Sequence, residues 1–228
     1  MFIISKKMNK DLSEKGFLII KGVYSKNEIE SMRELCLEFF KKGGGFANAG
    51  GYARPAWVED SSFKKLLEIY NMEKIKEIVS NCAGEKVSFI GHSDLHLNRT
   101  VGWHKDQLNG EARKFQKRSP WDVVDGETMK IYKVNLYLQD HSLNQDALSV
   151  RIGSHKFSDM KSGAVEHTKP ALGDVLLFDQ RITHRGGWSG NYDRVLICTG
   201  FGVKNCFFED FKRGTEYRQN KQNFRNKK

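Results

Sequence analysis

His104 and Asp106 stand two positions apart, His184 follows 78 positions after Asp106, and Arg194 ten positions after that. Two imidazoles and one carboxylate can cap one face of an octahedral metal and leave its other positions open, the donor set suited to non-haem Fe(II). Arg194 adds a planar, permanently charged fork that matches a carboxylate. On a strand, residues i and i+2 share a face, so His104 and Asp106 could ligate one ion while Lys105 points away. His184 must come from a second strand brought alongside. Gly186-Gly187-Trp188-Ser189-Gly190 reads as a turn before the strand Val195-Leu196-Ile197-Cys198, so a hairpin would return Arg194 toward His184. The plainer readings are a hydrogen-bonded strand histidine at 104 and a surface ion pair between Arg194 and Asp193.

Elements that could position these groups change in type along the chain. Leu18 to Val23 reads as a strand. Ser25-x-x-Glu28 is a capping-box signature. It opens a helix with Ile29, Met32, Leu35, Cys36, Phe39 and Phe40 on one side and a stop near Gly43. Residues 43–51 are rich in glycine but lack the Gly-Lys-Ser/Thr ending of a phosphate loop, and read as a flexible loop. Phe63 to Val79 has helical periodicity. From residue 86 the pattern is of strands: Lys86–Ile90, Asp94–Asn98, Met129–Leu138, Ala147–Arg151, Asp174–Phe178 and Arg194–Val203. Many short strands in one half of a chain predict a sandwich or jelly roll. Gly110 to Gly126 is a long polar excursion carrying Arg113, Lys114, Lys117, Arg118 and Trp121, placed where it could cover a pocket.

Composition narrows the function classes. The 228 residues suit one domain with a substantial core: N-terminal helices over 1–85, a jelly roll over 86–208 and a basic tail over 209–228. Hydrophobic content of 39% and charged content of 29% exclude a disordered chain. No apolar run approaches the roughly 20 residues of a membrane span, and Met1-Phe2-Ile3-Ile4 is too short for a signal peptide. Cys36, Cys82, Cys198 and Cys206 show no paired spacing, which suits reduced thiols in the cytoplasm. Net charge is +10, of which +6 falls between Lys212 and Lys228 (seven Lys or Arg against Glu216). That end reads as a solvated, partly disordered tail rather than a nucleic-acid contact. Oligomeric state is not legible.

Several motifs in order carry a family resemblance. Gly16-Phe17-Leu18-Ile19-Ile20-Lys21-Gly22-Val23-Tyr24-Ser25, Trp103-His104-Lys105-Asp106, Asn135-Leu136-Tyr137-Leu138-Gln139-Asp140, Ala147-Leu148-Ser149-Val150, Gly153-Ser154-His155, and Gly173-Asp174-Val175-Leu176-Leu177-Phe178-Asp179 leading to His184, Asn191 and Arg194 resemble the phytanoyl-CoA dioxygenase family of Fe(II)/2-oxoglutarate oxygenases over nearly the full length.

The resemblance implies a mainly β fold with flanking α-helices, built on a double-stranded β-helix (jelly-roll, cupin-like) core. It implies Fe(II) held by His104, Asp106 and His184. Arg194 would bind the distal carboxylate of 2-oxoglutarate, with Asn98 as a further cosubstrate contact and O2 as the oxidant. It does not give the substrate. The implied reaction is hydroxylation of an unactivated C–H bond in a small molecule, with release of succinate and CO2. Retention of Asp106 favours hydroxylation or another oxidative conversion over halogenation, because related halogenases lack that carboxylate. His96, Arg113, Trp121 and Trp188 are candidate substrate contacts, and the basic loop would suit an anionic substrate. His155 reads as structural. Gly186 replaces a Ser or Thr that many members carry two residues after the second histidine. Two alternatives remain: a nucleic-acid demethylase of the same superfamily, which would have a second arginine where Gly200 stands, and a non-catalytic jelly-roll binding protein.

Overall fold

The structure is a computed structural model and describes residues 6–106, 110–187 and 192–225. Its strands form two antiparallel sheets, apart from isolated bridges. The larger has the order β1-β8-β5-β10-β4-β3-β2, and the smaller β7-β6-β9. In the large sheet these are β1 (Phe17–Ile20), β2 (Phe46–Asn48), β3 (Gly51–Pro55), β4 (Val87–Leu97), β5 (Ile131–Tyr137), β8 (Val175–Asp179) and β10 (Val195–Val203). The small sheet comprises β6 (Leu148–Arg151), β7 (Val165–His167) and β9 (His184–Gly186). The sheets face each other as a jelly roll, as the strand pattern predicts.

Period-two patterning decides which side chains meet the site. Along β5, Tyr132, Val134 and Leu136 join the core shared with the helices, while Tyr137 joins the core between the two sheets. The helix-side core gathers Ile29, Met32, Cys36 and Phe40 of α2 (Lys26–Lys41) with Trp57, Leu66, Tyr70, Ile75 and Val79. The intersheet core contains Phe17, Leu148, Val150, Leu176, Phe178 and Leu196. A closed, rigid platform thus lies under the face that carries the polar groups.

The capping box at the start of α2 is complete: the Glu28 N–H donates to Ser25 Oγ, and the Ser25 N–H to Glu28 Oε2. The continuous helix predicted over 63–79 is instead α3 (Lys64–Tyr70) and α4 (Met72–Ala83), broken at Asn71. Asn71 adopts a left-handed φ of 51° and caps α4 by accepting the Lys74 N–H. Asparagine tolerates this backbone and caps well, and either property ends a helix that apolar periodicity alone would continue. A preceding helix, α1 (Lys6–Lys15), has no counterpart in the predicted elements.

Three further differences concern the sheets and the C-terminus. The glycine-rich 43–51 segment is not simply a loop, because it forms β2 and the turn into β3. Gly51 sits where a Cβ would lie 2.2 Å from the Leu97 carbonyl oxygen, so only glycine lets the hairpin edge approach β4. The two strands predicted over 86–98 are one, β4, bent at Gly91 (φ 79°), with a register shift opposite Thr199–Phe201 on β10. The supposed disordered tail is a helix, α5 (Cys206–Arg225). Phe207, Phe208 and Phe211 bury themselves against Ile90, Met129 and Ile131, and apolar anchoring outweighs the helix's charge. No helix among the described residues is long and apolar enough to cross a membrane.

Candidate metal and cosubstrate site

His104 and His184 are brought together by main chain. They form an isolated antiparallel bridge, with each N–H donating to the other's carbonyl at 2.9 Å. The strand geometry expected for His104-Lys105-Asp106 is therefore reduced to a single bridge residue followed by a turn at Asp106. The divergence of side chains is kept. Lys105 points away and donates to the carbonyls of Ser154 (2.8 Å) and Arg181 (2.6 Å).

Both imidazoles contact a carbonyl through Nδ1, His104 that of Gly102 (2.7 Å) and His184 that of Ile182 (3.1 Å). A carbonyl only accepts, so Nδ1 carries a proton in either charge state, and in the neutral ring Nε2 keeps its lone pair for a metal. The Nε2 atoms lie 3.3 Å (His104) and 3.5 Å (His184) from the Asp106 carboxylate. One ligand atom from each residue falls within 4.8 Å of the others. Burial opposes ionisation of Asp106, but Lys133 and the two histidines hold its carboxyl well below the usual range. Burial also pulls His184 down to about 3. Burial pulls His104 the same way, yet the Asp106 hydrogen bond and charge win and its pKa is raised.

Arg194 is not in a surface pair with Asp193: it is buried, with its guanidinium carbon 6.0 Å from the Tyr137 ring centroid. It does not return on a hairpin, since β9 and β10 belong to different sheets. The chain crosses between sheets instead, and both His184 and Arg194 line one open cleft. Arg194 Nη2 donates to the Arg99 carbonyl, and Nε makes no hydrogen bond among the described residues.

Asn98 is a correction to the expected site. It has a left-handed φ of 55°, accepts the Arg194 N–H through Oδ1 (2.7 Å) and donates through Nδ2 to Asp193 (3.0 Å). It locks the backbone that presents Arg194 and does not line the cleft. Trp121 is likewise displaced: its Nε1 donates to the His155 carbonyl (2.9 Å) and its ring lies under Lys105 (5.6 Å). Arg113 is exposed and donates to Gln116. The Gly110–Gly126 excursion is anchored to α5 where Phe115 packs at a tilt against Tyr217 and the Lys117 N–H donates to Asp210. Trp188 lies outside the described residues. His96 does line the cleft, and burial holds it down to about 4. His155 has the structural role expected of it, contacting the Ser13 carbonyl.

Four cleft residues escaped the sequence reading: Arg99, Lys133, Asn135 and Tyr137. Lys133 Nζ lies 2.6 Å from Asp106 Oδ2. The Tyr137 hydroxyl and Asn135 Oδ1 are buried and make no hydrogen bond of ordinary geometry among the described residues. The signal was present in β5, where Lys133 and Asn135 interrupt an otherwise hydrophobic strand on one alternating face. Arg99, in the loop after β4, gave no such signal.

Fold and site together define a double-stranded β-helix with a two-histidine, one-carboxylate cluster at its mouth. Among solved structures the same fold recurs in AviO1 from Streptomyces viridochromogenes Tue57, with a TM-score of 0.67, 15% identity, and coverage of 89% of this chain and 96% of that one. SnoK, a non-heme alpha ketoglutarate dependent carbocyclase from nogalamycin biosynthesis, gives a TM-score of 0.64 at 16% identity over 88% of this chain and 84% of its own. HygX from Streptomyces hygroscopicus, solved with nickel and 2-oxoglutarate bound, gives 0.65 at 17% identity and covers 88% of each chain. At these identities the likeness establishes the fold. No family model and no curated protein sequence matches the chain; the phytanoyl-CoA dioxygenase resemblance rests on the motifs.

Proposed function

We propose that this chain is an Fe(II)- and 2-oxoglutarate-dependent oxygenase that hydroxylates a C–H bond of a small molecule. The carrying observation is the convergence of His104, Asp106 and His184 within 4.8 Å at a cleft that also holds the buried Arg194. The donor set fits the metal: two imidazoles and one carboxylate, on one side only, suit Fe(II) with open positions. The cleft fits the cosubstrate too, because Arg194 Nε, the Tyr137 hydroxyl and Asn135 Oδ1 are buried polar atoms that need partners.

His104 and His184 would hold the metal through Nε2 and Asp106 through one carboxylate oxygen, with Lys133 retaining the other. Arg194 would orient the distal carboxylate of 2-oxoglutarate, and Tyr137 and Asn135 would add hydrogen bonds. Bound there, iron with 2-oxoglutarate and O2 supplies the oxidising power, with succinate and CO2 as co-products. Val101, Leu148, Phe178 and Leu196 wall the cleft and exclude water around the reacting groups. SnoK is a carbocyclase on the same fold; the intact Asp106 carboxylate speaks against halogenation and is compatible with hydroxylation or another oxidative conversion. The four free cysteines support a reducing, cytoplasmic setting.

The demethylase alternative meets an obstacle at Gly200. A Cβ there would lie 2.8 Å from Ile90 Cδ1 and 3.1 Å from His92 Cβ, so a second arginine has no room without repacking. Anaerobic titration of the Fe(II)-loaded protein with 2-oxoglutarate, followed by the weak visible charge-transfer band, tests the proposal. The band should appear in the wild type and be lost or weakened in Asp106→Ala and Arg194→Ala. No band and no retained iron would overturn the oxygenase reading in favour of a non-catalytic binding protein.

A further inference from the structure

Charge in the cleft points to the substrate, given the metal and cosubstrate proposed above. Arg99, Lys133 and Arg194 line it against one carboxylate, Asp106. A divalent metal and a doubly charged cosubstrate cancel, so the occupied cleft keeps two positive charges in excess. Lys133 and Arg194 are buried and Arg99 is half-buried, and cations so placed call for a counter-charge or dense hydrogen bonding. Arg194 is taken by the cosubstrate and Lys133 already faces Asp106.

Arg99 is the group left over. Its Nη1 contacts only the neutral His96 ring, 3.2 Å away at Nε2, and its Nε is buried without a hydrogen bond among the described residues. The neighbouring carboxylate, Asp94, is claimed by Arg218 of α5 through two contacts of 2.7 and 2.6 Å. The expected source of positive charge, the Gly110–Gly126 excursion, does not supply it, since Arg113 points to Gln116. Lys133 and Arg99 belong to the cleft itself. Lys133 pairs in register with Gly200, four positions along β5 from Tyr137, which pairs with Leu196 beside Arg194. At about 3.3 Å per residue Lys133 therefore lies roughly 13 Å along the strand from the Tyr137 level. Arg99 follows Leu97, which pairs with Val195, so it stands at the Arg194 end of the cleft with its side chain turned back toward His96.

We propose that Arg99 receives the carboxylate of an anionic substrate. The planar guanidinium suits a bidentate carboxylate, and the apolar cleft wall suits the remainder of the molecule.

The test uses protein loaded with Zn(II) and 2-oxoglutarate, so no turnover is needed. Matched probes are hexanoate and hexanamide, benzoate and benzamide, phenylacetate and phenylacetamide, with dissociation constants from ligand-observed NMR. The carboxylates should bind at least ten times more tightly than their amides. Arg99→Gln should erase that preference, and Arg99→Lys should keep part of it. Cosubstrate affinity should survive both substitutions, because the link from Arg99 to Arg194 is a main-chain carbonyl. Equal binding of acids and amides with 2-oxoglutarate still bound would overturn the inference alone. So would carboxylate binding that competes with 2-oxoglutarate and persists in Arg99→Gln, which places the anion at Arg194. Failure of 2-oxoglutarate to bind the wild type would overturn the proposed function and this inference with it.

Discussion

His104 and His184 face each other through backbone, not through their rings: two N–H to carbonyl bonds of 2.9 Å fix them in register, and the ring centroids follow at 4.2 Å. The bridge needs no particular side chain, so the proposed metal ligands are mounted on a scaffold that forms without the metal. We expect His184→Ala to lower Fe(II) affinity by more than about 100-fold, beyond the loss typical when only a hydrogen-bond partner of a ligand is removed. Melting of the metal-free protein should move by no more than about 4 °C. Metal content after dialysis and a melting curve check both. Retained iron with a collapsed melting temperature would show that the histidine serves the fold instead.

Lowered histidine pKa values give the protein an acid weakness. Burial holds His96 down to about 4 and His184 to about 3, and lowers His92, His141 and His155 as well. Each takes a proton more readily when unfolded, near pH 6.5. Their stabilising contribution is therefore full above that value and is lost as pH falls toward the folded values. His104, whose pKa is raised, acts in the opposite sense but is one group against five. Melting temperature of the metal-free protein should fall steadily from pH 7 to pH 5. A flat profile would mean that these rings are not held neutral.

Arg218 was placed in a solvated tail by its composition, yet it closes on Asp94 inside the fold. Burial opposes ionisation of Asp94, but Arg218 and the neighbouring histidines hold its carboxyl well below the usual range. Removing Arg218 leaves a buried carboxylate without its main partner. Arg218→Met should cost about 3–5 kcal/mol in urea unfolding. Adding Asp94→Asn should recover a substantial part, because the uncompensated charge is then gone. A double variant no more stable than the single one would show that α5 docks by its aromatic residues alone.

How much of this was visible in the chain follows from how local each feature is. The proposed metal ligands and Arg194 carry rare residue types at diagnostic spacing, and the capping box at Ser25 and Glu28 is a four-residue signal. Lys133 and Asn135 were legible in principle, as polar residues on one face of an apolar strand. Asn98 and Trp121 were misassigned because an amide near a site and an indole in a loop look the same whether they hold ligand or backbone. Arg99 and Arg218 were hidden, since their partners His96 and Asp94 are defined only once β4 is placed. The glycine-rich hairpin was missed for the same reason: Gly51 is required by the Leu97 carbonyl, a contact that no spacing announces.

Gly186 offers a gain-of-function test of the cosubstrate site. It stands two residues after His184, where the family resembled here often has a hydroxyl. A Cβ at that position would lie 3.7 Å from Arg194 Nη2 and 3.2 Å from the Val101 nitrogen. The first distance would bring a serine Oγ beside the guanidinium that is to hold the distal carboxylate. The second requires Val101 to yield by a few tenths of an ångström, and Val101 lies outside regular secondary structure, where the chain gives most easily. One added hydrogen bond is worth about 1 kcal/mol, so Gly186→Ser should tighten 2-oxoglutarate binding about fivefold. Titration of the metal-loaded variant beside the wild type reads this directly. Weaker binding would mean that Val101 holds its place and that glycine is there because the two main chains must pass closely.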